Sequence, residues 1–247
     1  VDAPVSERLY YTMLAYLMPV LQRMDGRRYQ PVALTCRHLE SRPTAHAGGV
    51  GVGVSCGVDS LFTIAEHTRP TCPPHFRISH LAYYNVGAHT RREDQTTDLF
   101  QQREVRVRAF ADEVGLPLVT LDSNVDRVLS SIPFTLSHGY RNAAATLALQ
   151  NLFTTYYYSS SSTIDQLGFD AHHPSYLEPI SLPMLSSNHL NFFTAGTMHT
   201  RTDKTRVVAE YAPSYRHLNV CVIDAENCSH CHKCLRTMLT LDILGRL

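Results

Sequence analysis

The chain has 247 residues, 44% of them apolar and 18% charged, which is enough for one large domain with a full core, or one domain with a small appendage. Its 22 basic and 22 acidic residues cancel, so no global field favours a nucleic acid partner. No apolar run approaches the roughly 20 residues that a membrane helix needs.

Leu9, Met13, Leu17 and Leu21, with Tyr10, Leu14 and Met18, recur at four-residue intervals and predict a helix over 7–24, kinked near Pro19. The start, Val1-Asp2-Ala3-Pro4, has neither the charged nor the apolar region of a secretion signal. Residues 25–47 are polar and hold Gly26, Pro31 and Pro43; they read as a connector with a short strand at Pro31-Val32-Ala33-Leu34. Residues 1–47 are thus expected to be an extension packed on a main domain spanning 48–220.

From residue 48 the pattern alternates. Strands are expected at Val50–Val54, Ile78–Asn85 and Leu118–Asp122, with helices at Ser60–His67, Arg91–Val114 and Asn142–Tyr157. A further strand is expected to run from Tyr156 to Ile164, where three tyrosines lead into a serine tract, and residues 165–200 look irregular. Such alternation implies an α/β fold, a parallel sheet with helices on both faces. Ligands of such sheets bind beyond the carboxyl ends of the strands, where Ser55, Asn85 and Asp122 fall.

The loop Ser55-Cys56-Gly57-Val58-Asp59-Ser60 follows the first strand and opens a helix. Unpaired N–H groups at a helix N-terminus attract oxyanions, and the two serine hydroxyls add donors. Asp59 beside phosphate suggests a bridging cation such as Mg2+. The P-loop pattern is excluded because no Gly-Lys pair occurs in the chain. The dinucleotide fingerprint is excluded because Cys56 occupies its third glycine position.

Seven cysteines are an odd number, and four of them, Cys221, Cys228, Cys231 and Cys234, lie close together. That clustering points to a metal in a reducing compartment, read as cytoplasmic, rather than to a disulfide framework. Four thiolates suit tetrahedral Zn2+ in a closed, structural site; an iron–sulfur cluster is the rival. The segment Leu235 to Leu247 reads as an apolar helix clamped by that metal, and residues 221–247 as a zinc-binding terminal element.

The serine loop resembles the S-G-G-x-D-S loop of the PP-loop ATP pyrophosphatases, with Cys56 in place of the first glycine. Together with the cysteine cluster it is similar to the 7-cyano-7-deazaguanine synthase-like family within that superfamily. Gly139-Tyr140-Arg141-Asn142 resembles the family's G-R-N element at the start of a helix, and Asp203-Lys204-Thr205 resembles an element whose lysine faces the phosphates. The first gap of the cysteine motif is shorter here than in the family, and the base-recognition loop is altered.

The resemblance implies ATP-dependent adenylation of a carboxylate, releasing pyrophosphate, followed by amide or nitrile formation. It implies that Ser55, Cys56, Gly57, Val58, Asp59, Ser60 and Asn85 bind the nucleotide, that Asp59, Lys204 and Arg141 serve catalysis, and that ATP, Mg2+ and Zn2+ are the cofactors. The acceptor is either a deazapurine-like small carboxylate or a protein, and the oligomeric state, homodimer included, stays open. The rival functions are tRNA thiolation and a zinc-stabilised nucleotide-binding module without turnover. At the level of single residues, Lys204 competes with a solvated helix lysine and Arg141 with a surface ion pair. Cys56 reads either as a nucleophile or as a small residue tolerated in a tight loop. His138, His172, His173, His189 and His199 offer acid–base groups.

Overall fold

The computed structural model describes residues 1–41, 48–89 and 96–247. Five parallel strands form its sheet: β1 (Gly49–Gly53), β2 (His80–Asn85), β3 (Leu118–Asp122), β4 (Phe153–Ser159) and β5 (Asn191–Ala195), in the spatial order β3-β2-β1-β4-β5. The α/β fold with a parallel sheet expected from the alternation is therefore present. The order reverses direction between β1 and β4. That switch leaves a crevice beyond their carboxyl ends, because the connections leaving the two strands diverge.

The Gly-Val alternation of β1 has a packing reason. Val50 and Val52 point into a core with Leu61, Phe62, Ile64, Phe110 and Val208. The opposite face takes the rings of Phe153 and Tyr156, and a Cβ on Gly51 would stand 2.8 Å from Phe153 and 2.9 Å from Tyr156. Any side chain there overpacks the second core, at a cost of about 1–3 kcal/mol. Two aromatic residues are thereby buried against bare backbone, each with a payload that dominates core energetics.

Helices α1 (Val58–Thr68), α2 (Thr96–Val114), α3 (Phe134–Ala148), α4 (Arg201–Glu210) and α5 (His232–Ile243) complete the main layers. Residues of α1, α2 and α4 build the first core, while α3 and the N-terminal helix build the second through Ala143, Ala145, Leu17 and Leu21. The N-terminal helix runs through Glu7–Thr12, a π-helical turn at Met13–Leu17, and Met18–Met24. Ser6 caps it, accepting from Leu9 N at 3.2 Å. Pro19 has no N–H to offer the preceding turn, and the chain absorbs the mismatch as a π turn immediately before it.

Three expectations are corrected. The helix predicted over Asn142–Tyr157 lies earlier, at Phe134–Ala148, because Pro133 caps its start and the run Phe153-Thr154-Thr155-Tyr156-Tyr157-Tyr158 is β-branched and aromatic. Gly139 to Asn142 therefore sit in mid-helix, not at its start. The strand predicted to reach Ile164 stops at Ser159, where Ser160 and Ser162 turn the chain: Ser160 Oγ accepts from Ser162 N at 3.1 Å and donates to Ser162 O at 2.9 Å. Pro31–Leu34 forms no strand; Leu39–Glu40 pairs instead with Val5–Ser6.

The expected helix over Arg91–Val114 is described from Thr96, and Arg91–Gln95 lie outside the described residues. Strand β5 falls within the stretch expected to be irregular. Helix α5 ends at Ile243, and Leu235, Leu239 and Ile243 are exposed on it. No helix among the described residues is long and apolar enough to cross a membrane.

Candidate functional site

The serine loop closes on itself through short-range bonds. Gly57 N donates to Ser55 Oγ at 3.3 Å, Ser60 Oγ donates to Gly57 O at 3.0 Å, and Ser55 N donates to Ser60 Oγ at 3.3 Å. Ser55 is exposed, whereas Val58 and Ser60 are buried at the start of α1, so Ser55 is the residue of the loop most open to solvent beside the helix N-terminus. Cys56 adopts φ +56, the left-handed region that normally selects glycine. Its side chain is fully buried in the first core, and burial pushes the thiol up to about 12. A buried thiol held in its protonated form suits packing rather than nucleophilic attack.

Asp59 is the centre of the charged group. Its Oδ2 pairs with Arg201 at 2.8 Å and its Oδ1 lies 3.5 Å from Lys204 Nζ. Arg201 and Lys204 reach it together because they stand three apart on the first turn of α4. That turn is fixed by a reciprocal cap, with Asp203 N donating to Thr200 Oγ1 and Thr200 N donating to Asp203 Oδ2. Asp203 is thus a capping residue.

Lys204 is 2% exposed, which excludes a solvated helix lysine. Its Nζ donates to Ser160 O at 2.7 Å beyond the end of β4, and burial lowers its pKa while Asp59 opposes that shift. The stem passes over Gly196, whose φ is +78; a Cβ there would meet Lys204 Cε at 3.1 Å. Glycine is required at that position for both reasons.

Two further cations come from the cysteine helix. Lys233 and Arg236, again three apart, stand on the first turns of α5 and feel both Arg201 and Asp59. Burial first, then the neighbouring cations, hold the Lys233 ammonium below its usual range. Among the described residues, two positive side chains, Arg201 and Lys204, thus pair with the carboxylate of Asp59, and the charges of Lys233 and Arg236 act on the same group from α5. Sequence reasoning missed Arg201, Lys233 and Arg236. The repeated i, i+3 pairing of cations on two helix starts was the available signal.

Asn85 lies at the end of β2, with its Nδ2 donating to Asp122 Oδ1 at 2.7 Å and its Oδ1 buried without a partner. It lines a cleft of about 1200 Å³ beyond β2 and β3, together with Asp122, Asp126, Phe134 and Arg141. Arg141 is buried, so it is no surface ion pair. It donates to Ser137 Oγ, Val86 O, Leu129 O and Ile132 O, which makes it a brace across the cleft wall. None of those bonds goes to the serine loop.

The four cysteines expected to bind metal do come together: their sulfurs lie within 4.8 Å of one another. Tetrahedral Zn–S bonds of about 2.3 Å place sulfurs about 3.8 Å apart, so the group can hold a metal such as zinc. Backbone N–H groups of Ile223 and Asp224 donate to Cys221 Sγ at 3.3 and 3.2 Å, and Cys231 N donates to Cys228 Sγ at 3.3 Å. The amides of Cys234 and then Val222 hold the Cys231 thiol down at about 6, a thiolate-favouring setting. His230 and His232 stand outside the group, both exposed. The cysteine element is tied to the serine loop by Asn219 N, which donates to Cys56 O at 2.8 Å. Arg103 of α2 adds bonds to Cys221 O and Asp224 O.

Neither a protein-family model nor a curated protein matches this chain.

Proposed function

We propose that the chain binds ATP with its phosphates on the Ser55–Ser60 loop and uses it to adenylate a carboxylate. The carrying observation is the Asp59 cluster, where Arg201 and Lys204 pair with one carboxylate at the switch point between β1 and β4 and Lys233 and Arg236 add positive charge from α5. An excess of positive charge beside a helix N-terminus suits a polyphosphate and suits best the pyrophosphate that leaves. The resemblance of the loop and of the cysteine motif to the PP-loop pyrophosphatases supplies the reaction class.

In that reaction a carboxylate oxygen attacks the α-phosphorus, an O–P bond forms, and the bond to the β-phosphate oxygen breaks. The charge developing on pyrophosphate is met by Arg201 and Lys204. The cleft lined by Asn85 and Asp122 offers room for a nucleoside and an acceptor. Both Asp59 oxygens face cations, so the residues here do not present Asp59 as a free Mg2+ ligand; Mg2+ fits as a companion of the phosphates. Bound zinc would supply structural clamping of the element that carries Lys233 and Arg236. The acceptor, in this reading, is a deazapurine-like carboxylate or a protein carboxyl group. A thiolation reading is disfavoured at the loop, where Cys56 is buried and inert.

The test is incubation with ATP, Mg2+ and 7-carboxy-7-deazaguanine, with and without ammonium. AMP and pyrophosphate that depend on the carboxylate support the reading. ADP as the product, or no turnover by protein that binds ATP, contradicts it.

A further inference from the structure

Three side chains beside the switch point form a polar group that the phosphate site does not use. His138 of α3 places Nδ1 2.7 Å from Tyr158 Oη and 3.3 Å from Glu178 Oε1. Glu178 opens the short helix Glu178–Ser181 and is 4% exposed, and its Oε2 has no partner. A buried, orphaned acceptor is costly, so packing alone does not account for a carboxyl at this position.

The surroundings hold that carboxyl in place. A Cβ on Gly139 would stand 2.6 Å from Glu178 Oε1, so the glycine next to His138 leaves the space the carboxylate crosses. Thr194 Oγ1 donates to Glu178 O at 3.2 Å and anchors the backbone to β5. Phe134, His138 and Arg141 fall at i, i+4 and i+7 on α3, and Phe134 and Arg141 both line the large cleft. His138 falls between them in helical register, behind the residues that line the cleft, and its imidazole is partly exposed with Nε2 hydrogen-bonded to no described protein group. The charges of Lys233 on α5 and of Asp59 on α1 act on His138 and Tyr158 respectively. Tyr140 of α3 is the remaining titratable neighbour acting with Glu178.

We propose that His138, held in orientation by Glu178 and Tyr158, accepts the proton released when an amine attacks the activated carboxylate. The proposal rests on the adenylation reading above. In the step, the amine nitrogen bonds to the acyl carbon and the bond from that carbon to the AMP oxygen breaks, its electron pair leaving with AMP. The N–H proton passes to His138 Nε2 and from there to solvent. His138 is the proton acceptor, and Tyr158 and Glu178 are positioning residues, Nδ1 bonding to Tyr158 Oη with the Glu178 carboxylate 3.3 Å away. Burial pushes the Glu178 carboxyl up to about 8, while burial and then Lys233 lower His138. The pair thus shares a proton near neutrality and gives it up toward pH 8, where a base for amine attack is useful.

The test compares the full chain with Glu178→Gln and, as a second variant, His138→Gln, each shown to be folded by ATP binding. The probes are ATP, Mg2+ and 7-carboxy-7-deazaguanine, with ammonium or with hydroxylamine, which needs less help from a base. The expected result is carboxylate-dependent pyrophosphate–ATP exchange within about threefold of the parent, with ammonium-dependent product down roughly 100-fold and hydroxylamine product largely kept. The limb of the ammonium profile near pH 8 disappears in both variants. Equal loss in exchange and amine transfer, or an unchanged amine step, overturns the proposal. Absence of carboxylate-dependent exchange in the parent overturns the adenylation reading, and the proposal with it; normal exchange with unchanged amine transfer overturns the proposal alone.

Discussion

Lys204 Nζ stands 3.5 Å from Asp59 Oδ1 and 2.7 Å from Ser160 O, and so links α4 to the loop after β1 and to the end of β4. One buried ammonium thereby joins the two strands on either side of the switch point. It is the side chain that turns three separate sequence segments into one site.

Removing that ammonium with Lys204→Met weakens ATP binding by about 10- to 100-fold, the loss of one charge-assisted hydrogen bond of about 1.5–3 kcal/mol. Arg201→Ala acts in the same direction. Calorimetric titration of ATP into each variant is the check. Unchanged affinity in both would remove these residues from the phosphate site.

Metal removal reaches the loop through Asn219. Chelation, or Cys231→Ser, lowers the melting temperature and also weakens ATP binding, because the element carrying Lys233 and Arg236 loses its clamp while Asn219 N no longer holds Cys56 O. Metal analysis beside thermal melts and ATP titrations tests this. Chelated protein that binds ATP as before would show the two elements to be independent.

Cys56 resists alkylation in the native protein. With its side chain fully buried and its thiol pushed up to about 12, iodoacetamide followed by peptide mass analysis labels it only after unfolding. Cys56→Gly relieves the left-handed backbone, at about 1–2 kcal/mol, and loses a buried thiol of comparable worth. Its stability is expected within about 1 kcal/mol of the parent, with ATP binding kept.

The pH dependence of stability carries the signature of Glu178. Its folded carboxyl keeps a proton up to about pH 8, against an ordinary value of 4.5, so between these values the folded state binds more protons than the unfolded chain. Stability from this group is present at low pH and lost as pH rises through 8. His138, shifted down, acts in the opposite sense only below its ordinary 6.5. Between about pH 6.5 and 8 Glu178 makes stability fall with pH while the lowered Cys231 thiol acts in the opposite sense, so Glu178→Gln shifts the slope of melting temperature against pH upward. An equal slope in the variant would contradict a proton held on Glu178.

Much of this was legible because the signals were local. The serine loop, the alternation around β1 to β3 and the four cysteines each lie within short segments whose spacing fixes the outcome. The boundary of α3 was not, because Ala143 to Leu149 would suit a helix in either frame and only Pro133 and the tyrosine run set its register. Strand β5 was hidden by its length, five residues among prolines and histidines. The cation cluster and Glu178 depend on how α4, α5 and the 174–181 segment pack on the sheet, which no local spacing encodes. Lys204 shows the difference well: its lysine was visible as a candidate, while its burial under Gly196 and against Phe62 was not.

The most direct measurement is competitive binding of ATP, pyrophosphate and AMP to the zinc-loaded chain. A polyphosphate site at Asp59, Arg201 and Lys204 predicts that pyrophosphate displaces ATP, that AMP binds far more weakly, and that Lys204→Met loses the difference. AMP binding as tightly as ATP, or pyrophosphate failing to compete, would contradict the assignment of this cluster to the phosphates.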